Sequence, residues 1–169
     1  EAHETGHTGA SSHGAVRIAR STYPDAGYVR LMQRGFNESW PLLERALGRS
    51  LLRPTDGCFF GPPGGLIESY AAGGRDVCPD VSPIGQADAQ RRFPGLETTD
   101  CFVLHDRTAA VIDAAGTMAG LLGLVRDDSI VYEHCPVLEL DSSGRGIRLT
   151  TPTRVFEAER IVVTVGPWL

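Results

Sequence analysis

The stretch Asp113-Ala114-Ala115-Gly116-Thr117-Met118-Ala119-Gly120-Leu121-Leu122-Gly123-Leu124-Val125, read with the apolar runs that follow it, decides the fold class. Asp113 has the short acceptor side chain of an N-cap. Met118, Leu121, Leu122 and Val125 recur at helical spacing, so a helix is expected over residues 113–125 with those four on its inner side. Gly116, Gly120 and Gly123 weaken it by about 1 kcal/mol each relative to Ala, and their small size would let it lie close against a sheet. Beyond it, residues 130–134 read as a strand. Residues 137–140, 147–151 and 155–158 read as a three-stranded meander turning at Ser142-Ser143-Gly144. The β-branched run over residues 161–165 reads as a strand covered on both faces. Helix, strand, meander and buried strand together imply an α/β (mixed α+β) chain with an antiparallel insertion.

Towards the N-terminus, Tyr28, Leu31, Met32, Phe36, Trp40, Leu43 and Leu47 form one apolar stripe at spacings of three and four, which predicts a helix over residues 28–47. Gly48 is its stop. Pro41 lies inside the stripe, and an interior proline costs about 3 kcal/mol unless the helix bends, so a bend near Trp40 is expected. Two strand-like runs flank the turn signal Asp56-Gly57, and Gly61-Pro62-Pro63-Gly64-Gly65 is a loop. Ser82-Pro83 reads as an N-cap with proline at the first helical position, opening a helix that ends near Phe93-Pro94. Residues 101–104 form a short strand. Residues 1–22 have loop composition, rich in Gly, Ser, Thr and His.

Within that loop lies Gly9-Ala10-Ser11-Ser12-His13-Gly14-Ala15-Val16-Arg17-Ile18-Ala19-Arg20-Ser21-Thr22-Tyr23. It offers small hydroxyl residues between glycines, one imidazole, two arginines three apart and then an aromatic. In a helical turn, residues three apart share a face, which would aim Arg17 and Arg20 into one pocket. A guanidinium grips a carboxylate through two parallel hydrogen bonds. Backbone amides of a tight Ser/Gly loop suit a phosphate or the polar edge of a cofactor. The alternative is a solvated polar loop leading into a helix.

Composition narrows the partners. The 169 residues carry a formal net charge of −5, with 41% apolar and 22% charged residues, ordinary values for a folded domain or parts of two. The basic residues are scattered, so nucleic acid is not expected and a small-molecule substrate is. No run approaches the roughly 18 apolar residues of a membrane span. Cys58, Cys78, Cys101 and Cys135 form no CxxC pair, and free thiols are expected. His3 and His7 are four apart, with His13 beyond, but in a loop without a converging acid or thiol, so no metal site is assigned. His105 and His134 sit beside strand patterns and read as packed or edge residues, and Trp40 reads as core. Trp168 suits packing or a cofactor wall equally.

The run His7-Thr8-Gly9-Ala10-Ser11-Ser12-His13-Gly14, then Arg17-Ile18, Arg20 and Tyr23, resembles the GSSHG-x-x-RI-x-R-x-x-Y signature of the monomeric sarcosine oxidase family. That family includes N-methyltryptophan oxidases and peroxisomal sarcosine/pipecolate oxidases. The similarity continues through Tyr28-Val29, Leu31-Met32, Trp40, Leu43-Glu44, Leu51-Leu52, Thr55, Gly57 and Arg92-Phe93-Pro94 to Val163-Thr164-Val165-Gly166-Pro167-Trp168. The resemblance implies FAD as cofactor and part of a glutathione-reductase-type FAD-binding fold. Residues 1–50 and 105–169 would be part of the FAD-binding domain, and residues 51–104 part of a substrate-binding domain.

Carried over residue by residue, the resemblance makes Arg20 the arginine that pairs with the substrate carboxylate. Arg17 is the one beside the flavin ring, and Tyr23 the tyrosine that follows. Glu1 matches the acid that binds the adenosine ribose. Ser11, Ser12 and His13 match the loop lining the flavin, Val137 the residue whose backbone meets the adenine, and Gly166 a turn close to the cofactor. Ala10 departs from the family's first glycine, Thr55-Asp56-Gly57 from its Thr-Gly pair, and Arg107-Thr108-Ala109-Ala110 from its Ser-Gly-rich stretch.

The implied reaction is oxidation of a secondary or N-methyl amino acid by FAD and oxygen, giving hydrogen peroxide. The implied partners are a small amino-acid substrate, oxygen and the remainder of a longer chain, in the cytoplasm or the peroxisome. The family's GxGxxG turn would precede Glu1, and its flavin-linking cysteine and oxygen-activating lysine would follow residue 169. The chain is therefore expected to be an internal segment, inactive by itself. The rival expectation is a non-catalytic remnant acting as a binding module.

Overall fold

Among the described residues every ladder is antiparallel, and the strands fall into three sheets of three. The structure is a computed structural model that describes residues 1–144 and 146–166. It divides into two compact units, one of residues 1–15 and 114–169, the other of residues 16–113. The breaks between these units fall after Ala15 and Asp113.

The unit of residues 16–113 holds two sheets. In the first, β1 (Val16–Ala19) and β2 (Leu52–Pro54) both pair with β6 (Ala110–Asp113), with Arg17 opposite Ile112. In the second, the central strand β5 (Phe102–Asp106) lies between β3 (Gly57–Gly61) and β4 (Val81–Ile84). The runs on either side of Asp56-Gly57 therefore enter different sheets and do not form a hairpin. Val29, Cys78, Val81 and Leu104 make the buried core, with Phe59, Ile67, Tyr70 and Phe102 packed around it. Alternation along β5 puts Phe102, Leu104 and Asp106 on one face, and the first two join that core.

The long N-terminal helix forms in two pieces. In α1 (Ala26–Arg34) the Asp25 carboxylate caps the N-terminus, accepting from the Gly27 and Tyr28 amides. A wide turn, Gly35–Ser39, leads into α2 (Trp40–Leu47), the Trp40 amide reaching the Gly35 carbonyl. At the place where a bend was expected, the helix widens into this π-turn. Pro41 has no N–H to donate and its ring needs room against the preceding turn, which the extra residue supplies. Gly48 ends α2 at φ +64°, as its stop position predicts. The Glu44 carboxylate then accepts the Leu51 and Leu52 amides (2.7 and 3.0 Å), tying α2 to β2.

One expectation fails here, and one helix was not anticipated. Ser82 and Pro83 lie in β4, and the helix α4 (Gln86–Arg92) starts at Gly85. A proline fits β4 because it is an edge strand, where the missing N–H faces no ladder partner. The helix α3 (Leu66–Gly74), which the sequence reading did not assign, follows the loop of residues 61–65. Its Gly65 cap and two closing glycines give no propensity signal, and Glu68 instead accepts the Gly64 amide (2.7 Å). His105, buried on β5, carries Nε2 2.9 Å from the Asp56 carboxylate and meets Phe93 edge-on.

In the unit of residues 1–15 and 114–169, α5 (Ala114–Asp128) starts directly after Asp113. The meander forms as read, as β7 (Glu139–Asp141), β8 (Ile147–Thr150) and β9 (Val155–Ala158) in the order β7-β8-β9. Residues 130–134 are not a strand. They accompany residues 1–3 through hydrogen bonds from His134 N to His3 O (3.2 Å) and from Cys135 N to Glu1 O (2.8 Å), and His134 turns away at φ +51°. Residues 161–165 are extended without a ladder, and Val162 is 84% exposed. A strand needs a partner for its backbone groups, and this run finds none among the described residues. Pro167 and Trp168, named in the sequence reading, lie outside the described residues.

Candidate functional site

A groove of about 700 Å³ runs through the first unit, between the loop of residues 5–14 and α5. The volume lies in the range of small-molecule sites. One wall is apolar: Met118, Leu121, Leu122 and Val125, with Ala115 and Ala119 between them. This is the stripe expected on the helix's inner side. It lines the groove, with Met118, Leu121 and Val125 37–46% exposed. The opposite wall is polar and small, made by Glu1, Thr5, Gly6, His7, Thr8, Ala10, Ser12, His13 and Gly14.

The loop holds its shape through local contacts. Gly6 (φ +89°) and Gly14 (φ +105°) occupy the left-handed region that favours glycine. Ala10 is not among the residues with positive φ, so the departure from the family's glycine leaves the backbone ordinary. His13 turns Nδ1 onto the Ala10 carbonyl, and the Gly9 amide donates to His7 Nδ1 (3.1 Å). The Thr5 amide donates to Glu133 Oε1 (2.9 Å), and Thr5 holds the Glu133 carboxyl below the usual range. The His3 amide, donating to Glu1 Oε1 at 3.2 Å, likewise lowers the Glu1 carboxyl. An ionised acceptor therefore stands at one end of the groove.

Glu1, Ser12 and His13 line the groove as a set, and Thr164 near the C-terminus joins them. Ser11 is exposed beside them. Val137 is exposed ahead of β7, and Gly166 sits at φ +63°. Thr5, Thr8 and the α5 stripe were not singled out from sequence. The stripe carried the signal, but periodicity cannot tell a face packed on protein from a face awaiting a ligand. Among the described residues no group of three or more His, Cys, Asp or Glu could hold a metal ion, although the His3 and His7 rings lie 4.7 Å apart.

Arg17, Arg20 and Tyr23 belong to the other unit. The helical-turn argument for the two arginines is overturned, because Arg17 lies in β1 and Arg20 directly follows it. Extended backbone alternates its side chains, so residues three apart leave opposite sides. Arg17 is exposed and its Nη1 donates to the Val16 carbonyl (2.9 Å). Arg20 is partly buried, its guanidinium stacked over Tyr23 (4.8 Å), Phe59 (5.0 Å) and Tyr70 (5.9 Å). Arg34, Arg49, Arg91, Arg107, Arg126 and Arg148 all pair with carboxylates. Arg20 has no such partner among the described residues. Cation–π contacts hold the cation in place and leave its N–H donors for an anion.

Comparison with known proteins places this geometry. A family model described as FAD-dependent oxidoreductase (DAO) matches residues 1–169. Peroxisomal sarcosine oxidase of Mus musculus is 30% identical over 96% of this chain and 42% of its own. Monomeric sarcosine oxidase of Streptomyces avermitilis is 29% identical over 96% of this chain and 43% of its own. The chain thus spans less than half the length of these relatives. Among solved structures, NikD, an amino acid oxidase essential for nikkomycin biosynthesis, superposes with a TM-score of 0.82 at 25% identity, over 99% of this chain and 44% of its own. Glycine oxidase from Geobacillus kaustophilus shares the fold at a TM-score of 0.75 and 18% identity. With the whole of its length matched and with mixed helices and antiparallel sheets in common with amino acid oxidases, the chain belongs to the FAD-dependent oxidoreductase family.

Proposed function

We propose that this chain is the central segment of an FAD-dependent oxidase of a secondary or N-methyl amino acid, of the sarcosine or pipecolate kind. The observation that carries the reading is Arg20, a partly buried guanidinium seated on three rings with no acid of its own among the described residues. A ligand carboxylate would complete it through the planar fork.

The groove residues fit the family's cofactor by the chemistry they present. Glu1 offers an ionised acceptor suited to a ribose diol. The amides and hydroxyls of residues 5–14 offer polar contacts, and the α5 stripe offers an apolar wall for a flat ring system. Ser11, Ser12 and His13 would line the ring, and the backbones of Val137 and Gly166 would pass near the adenine and the ring. When bound, FAD accepts hydride from the amine carbon and returns the electrons to oxygen, giving peroxide. The protein's part is to hold and orient. Arg20 fixes the substrate acid and so restricts the amine to few poses. Arg17 contributes positive charge where negative charge grows during reduction. Tyr23 supports the Arg20 guanidinium from below. On this reading residues 1–15 and 114–169 serve the cofactor, and part of residues 16–113 serves the substrate. The location would be cytoplasmic or peroxisomal, the latter being the name given to the mouse and human relatives.

The test is Arg20→Ala in the flavin-loaded, full-length protein. Removing one partner of a buried charge pair costs about 2 kcal/mol or more, so KM for the amino acid should rise about thirtyfold or more while the flavin stays bound. An unchanged KM removes Arg20 from this role. A full-length protein that stays colourless after addition of FAD would favour the non-catalytic remnant instead.

A further inference from the structure

We propose that Asp106 is the positioning residue that aims Arg20 at the ligand carboxylate, an inference that rests on the acid-binding role of Arg20 given above. Asp106 ends β5 and is fully buried, as are Ser21 and Thr22, the two residues that follow Arg20. One carboxylate oxygen, Oδ2, accepts the Ser21 amide (2.9 Å), the Thr22 amide (3.0 Å) and the Thr22 hydroxyl (2.6 Å). The other, Oδ1, accepts the Thr108 amide (2.8 Å) and the Thr108 hydroxyl (2.6 Å). The Thr108 and Ser21 hydroxyls are themselves hydrogen-bonded at 2.8 Å.

This is a buried acid with no basic side chain among its hydrogen-bonding partners. Burying a carboxylate is expensive unless donors replace its lost water, and five N–H and O–H groups do so here. A fold that needed only packing at this point would be served by an apolar side chain. What the arrangement achieves is local. Three of the five donors belong to the two residues after Arg20, so the chain leaves the first sheet towards α1 along one path.

The next two residues are held from another side. A Cβ on Gly73 of α3 would lie 2.4 Å from the Tyr23 carbonyl oxygen and 2.5 Å from the Pro24 carbonyl, so helix and backbone are in direct contact there. Residues 21–24 are thus clamped at both ends, and the direction of the Arg20 side chain follows from theirs. Asp106 itself cannot reach a ligand, because it is fully buried and both of its oxygens are occupied. Its influence must pass through Arg20.

The experiment uses the flavin-loaded, full-length protein and three variants: Asp106→Asn, Thr22→Val and Arg20→Ala. Two quantities are read. One is the Kd of acetate by calorimetry, which involves no turnover. The other is the ratio of kcat/KM for sarcosine to that for dimethylamine, which is sarcosine without its carboxylate. Asn turns an NH2 towards groups that already donate, so Asp106→Asn should weaken acetate about tenfold and lower the ratio alike, with dimethylamine turnover and flavin absorbance unchanged. Thr22→Val removes one hydroxyl bond and keeps the backbone bonds, and should act in the same direction by about threefold.

Equal losses for sarcosine and dimethylamine, or an acetate Kd within about twofold of the parent in both the Asp106 and the Thr22 variants, would overturn the proposal. Should Asp106→Asn fail to fold, Thr22→Val decides the matter. Arg20→Ala separates the two layers of the argument. If it leaves acetate binding unchanged, the acid-binding role of Arg20 fails. If it abolishes acetate binding while the Asp106 and Thr22 variants do not weaken it, only the positioning role fails.

Discussion

Replacing Gly73 with Ala sets two effects of known sign against each other. Gly73 lies in α3, and in an open helix interior Ala is better than Gly by about 1 kcal/mol. Here the added methyl would lie 2.4–2.5 Å from the backbone of Tyr23 and Pro24, about 1 Å inside ordinary contact distance. Those atoms belong to a segment pinned by buried hydrogen bonds to Asp106 and cannot swing aside like a side-chain tip. Overpacking of this kind costs about 1–3 kcal/mol, and with three backbone atoms at 2.4–2.5 Å the upper half of that range, about 2–3 kcal/mol, applies, so the clash should win and leave a net loss of about 1–2 kcal/mol. At 2–4 °C per kcal/mol for a protein of this size, Tm should fall by roughly 2–8 °C. The control is Gly123→Ala in α5, where nothing lies within 4 Å of the new methyl and propensity alone acts. It should gain up to about 1 kcal/mol. Thermal melts of the two variants beside the parent give the result. A Gly73→Ala protein as stable as the Gly123→Ala protein would refute the claim that α3 presses directly on the segment carrying Arg20.

Other expectations follow from the same contacts. Arg20→Lys should recover only part of what Arg20→Ala loses in KM, because an ammonium keeps the charge without the fork; full recovery would mean that charge alone suffices. Glu1→Gln should weaken FAD binding, measured by flavin fluorescence on dilution, and unchanged affinity would remove Glu1 from the site. The Glu1 carboxyl is held below its ordinary value, so its favourable contribution is present above that value and lost as pH falls through the lowered one. Flavin retention should therefore be flat from about pH 8 to pH 5 and drop only below the ordinary Glu value of about 4.3. Loss already at pH 6 would assign it to another group. Asp25→Ala removes the acceptor for two α1 amides and should cost about 1 kcal/mol by chemical denaturation; no change would show that the cap is replaced by water.

What could be read from the sequence was what lies within one element. The α1–α2 stripe, its break at Pro41, the Gly48 stop and the meander are all local patterns, and all appear. What could not be read depended on distant partners. Pro83 was taken for a helix start because nothing in Ser82-Pro83 says that an edge of β5 waits beside it. The run at residues 161–165 has strand composition and no ladder among the described residues. The α5 stripe was legible as a stripe, while its neighbour was not. In the motif, the loop of residues 7–14 forms one groove wall, but Arg17 lies on a strand and Arg20 directly follows it, where a helical turn was expected.

That last correction bears on the chemistry. In a helical turn the two guanidinium groups would stand side by side, and mutual repulsion would weaken the claim that both serve one small anion. Along extended backbone they separate, and each takes a distinct environment: Arg17 exposed beside its own strand, Arg20 enclosed by rings. Enclosure is what gives a guanidinium its grip, since an ion pair at an exposed site gains about 0–1 kcal/mol and a sheltered one considerably more. Among the described residues, Arg34, Arg49, Arg91, Arg107, Arg126 and Arg148, which pair with acids, have side chains at least 46% exposed, where pairing contributes little. The more sheltered Arg20 is without an acid among the described residues. A fold selected for stability alone would have placed a carboxylate there, or no charge at all. Leaving the sheltered cation open, while three donors hold the chain beside it to a buried acid, is the arrangement expected of a site whose anion arrives with the ligand.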